Sequence, residues 1–361
     1  MLQPRCSQNL TEMYSPKRIN LHLPRSWNAC TVSELESVAR IVAVRSMQAD
    51  RYHPFDMDQT KVEIFFALAG LEPLEPANPR VPIEQQYITV RFSRPSWRHP
   101  FRMLRYYRNH QNRPFTLYLW QINSFIDQHL KWLDGPSALT LFPYQRITRH
   151  ALLCRLRFWR SKRFAGPDAL MQDFSWQRYR FANDYMSFFI DQQNTLLRMM
   201  QHPSKYSKRQ LTEAEKAVDL ARSMFLATIF NGRVRTIDEE TQKFRSTYSY
   251  KSNQHSDNAI YFRRFPDIQW QVVLFWWSGM MAYLQKKYPH CFKQTPTKDS
   301  QAQNPLDLYT RTTATMQKYT TLKEDDVNQQ TFHIILQHLE DMAKENEEME
   351  RIRKKNKTKK K

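Results

Sequence analysis

The chain has 361 residues, 41% of them apolar and 13% aromatic, which supplies core for one large or two ordinary domains and argues against general disorder. Lysine and arginine number 55 against 35 acids, a formal charge of +20 that favours anionic partners. Only five glycines are present, which weighs against Gly-rich phosphate loops and nucleophile elbows, and Cys6, Cys30, Cys154 and Cys291 lie too far apart for a zinc or redox pair.

Taken in chain order, residues 1–20 read as a flexible N-terminus with no charged head and apolar run of secretory type, so the expected place is the cytoplasm with reduced thiols. Thr31 with Glu34 forms a capping box ahead of Leu35, Val38, Ala39, Val42 and Met47. Further helices are expected over 59–69, 116–133, 176–200, 267–286 and 325–350, and one more begins at a second capping box, Thr212 with Glu215, and ends at Gly232. Tyr87–Phe92 is the clearest strand, and Tyr248–Tyr250 the second. Ile268–Leu284 is the most apolar stretch, but Gln269 and Gln271 shorten the uninterrupted run, so it reads as a core helix and not a membrane span.

The expected fold class is therefore mainly α and multi-helical, with a minor β element near 87–92 and a C-terminal helix followed by a disordered basic tail. Landmarks recur in order, Trp27, Phe65, Tyr87 and Pro114 against Trp176, Phe225, Tyr248 and Pro266, which predicts two similar helical lobes over 21–135 and 136–292. Residues 293–323 read as a linker and short helix, 324–350 as the C-terminal helix and 351–361 as the tail, which carries eight basic residues and no acid. Phe332, Ile335, Leu339, Met342, Asn346 and Met349 follow a/d spacing, so 332–349 packs on the chain's own body, serves self-association or meets a partner helix.

Reactive groups are sparse. His333 and His338 are five apart, on different helix faces, and His290 beside Cys291 is an isolated pair. Acids cluster at 238–240, 324–326 and 340–350, where caps and solvated faces account for them. The expectation is a non-enzymatic chain with no catalytic residue, cofactor or metal site.

The arginines carry the better functional signal. Arg94, Arg98, Arg102, Arg105 and Arg108 lie in an acid-free stretch from Arg91 to Arg113, and Arg155, Arg157 and Arg160 lie in a second, from Arg146 to Arg163. With Arg351, Arg353, Lys354 and Lys355 of the tail, they are candidate polyanion contacts; Trp97, Tyr106, Tyr107 and Trp159 are candidates to stack on unpaired bases. The same residues also suit arginine stems covering a core rim, or a basic face docking an acidic protein.

Two resemblances attach to particular residues. Arg149-His150-Ala151 resembles the Arg-His box of tyrosine recombinases, but no Gly-His pair follows, and Tyr309 and Tyr319 qualify as nucleophiles by position alone. Leu23-Pro24-Arg25-Ser26-Trp27 with the Thr31 cap, the Phe-rich helix at 61–70, Phe174–Arg180 and Phe265-Pro266-Asp267 with Trp270 resemble uncharacterised phage and prophage proteins of Bacteroidetes-type bacteria. That resemblance implies a mobile-element protein of a bacterial host, in the cytoplasm or the virion, acting non-enzymatically in virion or tail assembly through contacts with phage structural or assembly proteins. The alternative is a nucleic-acid-binding protein serving replication or packaging.

Overall fold

The computed structural model describes residues 21, 23–49, 55–75, 81–82, 85–95, 100–108, 111–153, 158–237, 244–292, 312–318 and 323–358. They are mainly helical, with two small antiparallel sheets, and fall into two compact units, Met1–Ala138 and Leu139–Lys361. No helix among them is long and apolar enough to cross a membrane.

In the first unit, α1 (Val32–Gln48) starts at Thr31, whose hydroxyl accepts from the Glu34 amide while Glu34 accepts from the Thr31 amide, the reciprocal box expected there. It buries Leu35, Val38 and Ala39. Asp56 caps α2 (Met57–Ala69), and Gly70 ends it at φ 65, a left-handed turn that suits glycine and sends the chain straight into β1 (Leu71–Glu75). A three-stranded sheet, in order β1-β2-β3, follows with β2 (Tyr87–Phe92) central and β3 (Phe115–Tyr118) on its other side. Residues 116–118 are thus strand, not the start of a helix as expected: Phe115 and Leu117 alternate into the core, and the helix α4 begins only at Leu119 and runs to His129. Trp27 and Trp132 pin the chain ends of this unit. Trp27 donates from Nε1 to the Trp132 carbonyl, Trp132 donates to the Pro24 carbonyl, and the rings meet edge-on at 4.9 Å.

The second unit opens with an antiparallel strand pair, β4 (Arg146–Leu153) and β5 (Phe158–Ala165). Two long helices follow, α5 (Trp176–Gln201) and α6 (Lys208–Ile229), then a second pair, β6 (Asn231–Ile237) and β7 (Phe244–Ser249). The sheet order is β4-β5-β6-β7, yet β5 and β6 pair only at Phe164↔Gly232 and Ala165↔Asn231. Each hairpin therefore runs on beyond the shared root as an arm with its own ladder, Arg146↔Ala165 to Leu153↔Phe158 in one and Gly232↔Ser249 to Ile237↔Phe244 in the other.

Two expected helix ends are corrected here. Ser207 with Gln210, not Thr212 with Glu215, forms the box that starts α6, and Thr212 already donates its hydroxyl to the Lys208 carbonyl inside the helix. Gly232 is a ladder residue of β6, since α6 ends at Ile229 and Phe230 is already extended. The β content also exceeds the expected minor element: seven strands are described, because arginine-rich ladders have no apolar alternation to announce them.

The core of this unit is aromatic. After the short helix α7 (His255–Ala259), α8 (Asp267–Lys287) buries Trp270, Trp276, Trp277, Met280 and Leu284, and Phe225, Phe230 and Phe142 meet these or one another edge-on. The apolar stretch 268–284 is thus a core helix. Trp276 donates to the Thr140 carbonyl, and Gly279 lets the Leu139 backbone cross α8: a Cβ at 279 would lie 2.6 Å from Leu139 N and 2.9 Å from its carbonyl carbon. Gly279→Ala is expected to cost about 1–3 kcal/mol through this overpacking, despite the higher helix propensity of alanine, read as a lowered urea midpoint.

Residues 312–318 belong to a ninth helix, α9, and α10 (Glu324–Gln329) breaks at Gln330 before α11 (Phe332–Thr358). The single helix expected over 325–350 is thus two. Thr331 bridges to Ser175, and Trp176 donates its amide to the Gln330 carbonyl, which ties this break to the start of α5. Phe332 and Ile335 are fully buried within the chain, Phe332 stacking on Tyr179 at 4.7 Å, so the first part of the a/d seam is already covered. Residues 351–358 are the last turns of α11 and not a disordered tail: lysine and arginine are good helix formers, and cations at a helix C-terminus complement its dipole. Of the expected linker and short helix over 293–323, residues 293–311 lie outside the described residues and 312–318 are helical.

Candidate nucleic-acid interface

Helix α3 (Pro100–Arg108) lies between β2 and β3 in sequence and is tethered on one side by Tyr106. Tyr106 is only 4% exposed and donates its hydroxyl to the Phe92 carbonyl at 3.0 Å, so it is an anchor and not the stacking ring expected of it. The helical repeat then turns the opposite face outward. Phe101 is 87% exposed, Leu104 68% and the neighbouring Tyr107 46%. Arg102, Arg105 and Arg108 are exposed as well, and none makes an ion pair among the described residues. Arg94 is also exposed, whereas Arg91 pairs with Glu72 at 3.0 Å. Trp97 and Arg98 lie outside the described residues.

The second arginine stretch divides. Arg149 turns inward: its guanidinium donates to the Arg264 carbonyl at 2.6 Å and to that of Tyr261 at 3.4 Å, and lies 5.1 Å from the centre of the Phe265 ring. It closes the carbonyls of a helical turn. Lys162, opposite Arg149 in the ladder, donates to Asn258 Oδ1. Arg146, Thr148, His150, Ser161 and Arg163 are exposed on this arm. By register Arg160 stands opposite Ala151 and Trp159 opposite Leu152; Arg155 and Arg157 lie outside the described residues, as do Tyr309 and Tyr319. A further arm, β6–β7, was foreseen by sequence reasoning only at Tyr248–Tyr250; it places Arg233, Arg235 and Arg245 in one ladder. At the end of α11, Arg351, Arg353 and Lys355 are exposed, with Arg351 reaching Glu347 at 3.9 Å. The side chain of Lys354 is outside the described set.

Buried polar groups form two further clusters. Arg178, 1% exposed, donates to the Thr228 and Ile229 carbonyls at the end of α6 and to Asp173 Oδ2 at 2.8 Å, with its guanidinium 3.9 Å from the centre of the Phe174 ring. Asn231 donates to the same carboxylate oxygen at 2.9 Å. Close by, His255 Nδ1 meets the hydroxyls of Tyr250 (3.3 Å) and Thr228 (3.4 Å), and burial pulls the imidazole down to about 4. Because the folded value lies below the ordinary 6.5, the neutral ring stabilises the fold above that pH, and the contribution is lost as pH falls from 6.5 to 4. The loss is expected to reach at most about 3 kcal/mol, and His255→Gln should flatten the stability profile in that window.

In the second cluster Glu340 is buried and accepts from the His290 amide (2.8 Å), the Cys291 amide (3.1 Å) and the His290 ring (2.5 Å). Burial raises its pKa, but those donors outweigh burial and hold the carboxyl below the usual range. Burial pushes the Cys30 and Cys291 thiols up to about 12, which makes them poor nucleophiles. His333 is held by the Tyr288 hydroxyl and the Leu170 carbonyl, and no group of three or more His, Cys, Asp or Glu with metal-binding geometry occurs among the described residues. These clusters lock chain segments together, whereas the exposed cations face outward with rings beside them. Comparison with protein-family models, with curated proteins and with solved structures finds no match for this chain.

Proposed function

We propose that the chain is a non-enzymatic nucleic-acid-binding protein that grips the sugar-phosphate backbone through arginines and stacks exposed rings on unpaired bases. The observation that carries this reading is the exposed surface of α3, where Arg102, Arg105, Arg108, Phe101 and Tyr107 are all exposed and no acid lies in the helix. The arms of the second sheet and the basic end of α11 add cations of the same kind. A setting in a phage or other mobile element rests on the aromatic landmarks from Leu23–Trp27 to Trp270, and fits service in replication or packaging.

Titration of the whole chain with labelled 30-mers at about 50 mM salt tests this, since phosphate contacts dominate affinity there. Saturable binding, tighter for single strands than for duplex, is expected, because stacking rings need unpaired bases. Absence of binding to either form overturns the reading.

A second reading, virion assembly through protein contacts, is favoured by Met349 and Ile352, three apart on the distal half of α11 and both half-exposed. If that stripe joins copies of the chain, Met349→Glu with Ile352→Glu lowers the sedimentation coefficient to the monomer value. A wild-type chain that sediments as a monomer at tens of micromolar removes self-association.

A further inference from the structure

A cavity of about 620 Å³ opens at the root of the β6–β7 arm, a size suited to a small organic ligand. Of its three charged residues, Asp173 and Arg178 are already committed to each other. The carboxylate takes the Arg178 guanidinium, the Asn231 amide group and, through Oδ1, the backbone N–H of Asp168 at 2.9 Å. What remains to meet a ligand is the carboxamides of Gln177 and Gln329, the rings of Tyr248 and Tyr250, and one cation, exposed Lys251. Tyr250 is held in place, its hydroxyl against His255 Nδ1 and its ring 5.0 Å from the Arg178 guanidinium.

Asn231 is more than nine-tenths buried, and its orientation is fixed because Nδ2 donates to Asp173. The Oδ1 that this leaves has no donor among the described residues. That atom is itself closed to solvent, so the lining around it is what meets an occupant. A carboxylate or phosphate deep in the cavity would lie beside the Asp173 carboxylate, and a purely apolar ligand would leave the carboxamides unmet. A planar heterocycle with donors and acceptors on its edge satisfies carboxamides and tyrosine faces together. The cavity is continuous with the arm that carries Arg233, opposite Tyr248 in the ladder, and exposed Lys251 stands at its rim.

We infer that this cavity takes one unpaired nucleobase of the bound strand, with the carboxamides of Gln177 and Gln329 on the base edge, Tyr248 beside the ring and Lys251 on the adjoining phosphate. The inference rests on the nucleic-acid reading but predicts something that reading does not, a preference among bases.

The test compares the four homopolymeric 12-mers and the four nucleoside monophosphates on the whole chain, as wild type and as Tyr248→Ala and Gln329→Ala, which leave the Arg178 network untouched. The expected result is a preference for one base in the wild type, reduced roughly tenfold in Tyr248→Ala, with the salt dependence of oligomer binding unchanged. Equal affinity for all four homopolymers, or a preference that both variants keep, overturns the pocket while leaving backbone binding intact. If no oligomer binds at all, the nucleic-acid reading falls, and the monophosphates decide the pocket alone: binding lost in Tyr248→Ala sustains it, and no binding ends it.

Discussion

Arg178→Met is expected to destabilise the second unit by about 3–5 kcal/mol, the cost of breaking a buried ion pair by removing one partner. The methionine fills much of the volume but donates nothing. Asp173, partly exposed at the cavity, then keeps only the Asn231 and Asp168 donors, and the Thr228 and Ile229 carbonyls at the end of α6 lose theirs. Because α6 leads directly into β6, the same loss loosens the root of both arms. Urea unfolding followed by tryptophan fluorescence reads the effect. Asp173→Asn added to Arg178→Met should restore part of the stability, since the unpaired charge is then gone; a double variant no better than the single would mean that the carbonyls, and not the carboxylate, set the cost.

Replacing Arg102, Arg105 and Arg108 together by alanine is expected to lower single-strand affinity on the order of fiftyfold at 0.15 M salt, if each guanidinium releases about 0.7 of a counterion from the strand. Stability should hardly change, as all three are exposed and make no ion pair among the described residues. Tyr106 sets a contrast on the same helix. Tyr106→Phe removes the hydroxyl that ties α3 to Phe92 and should act through helix position, with a loss of stability that the arginine variant lacks.

Several helices were legible from local signals, although the equally local Ser207–Gln210 box was passed over. Thr31 with Glu34 marks α1 because cap and partner sit three residues apart, and the Trp- and Phe-rich runs of α5 and α8 are long enough to show themselves. The arms were not, because Arg146–Leu153 and Asn231–Ile237 put charges where an apolar alternation would announce a strand, and Asn231-Gly232 imitates a helix stop. The site was half legible for a related reason. Composition picks out the arginines, but Tyr106 and Tyr107 are identical in sequence and lie about 100° apart on α3, so only packing decides which is anchor and which is free. Arg178 could not be read at all: its partners at Thr228 and Ile229 lie some fifty residues downstream, and nothing local tells it from the exposed arginines. The basic end of the chain shows the converse, since one lysine-rich composition suits both a solvated coil and a continuing helix.

The most direct measurement is the slope of log affinity against log salt for a single-stranded 30-mer, taken on the wild type and on the Arg102, Arg105 and Arg108 triple-alanine variant. A linear, steeply negative slope in the wild type, shallower by about 2 in the variant, is the predicted result. A flat wild-type slope, or one that the triple substitution leaves unchanged, would contradict the assignment of α3 as the face that meets the nucleic-acid backbone.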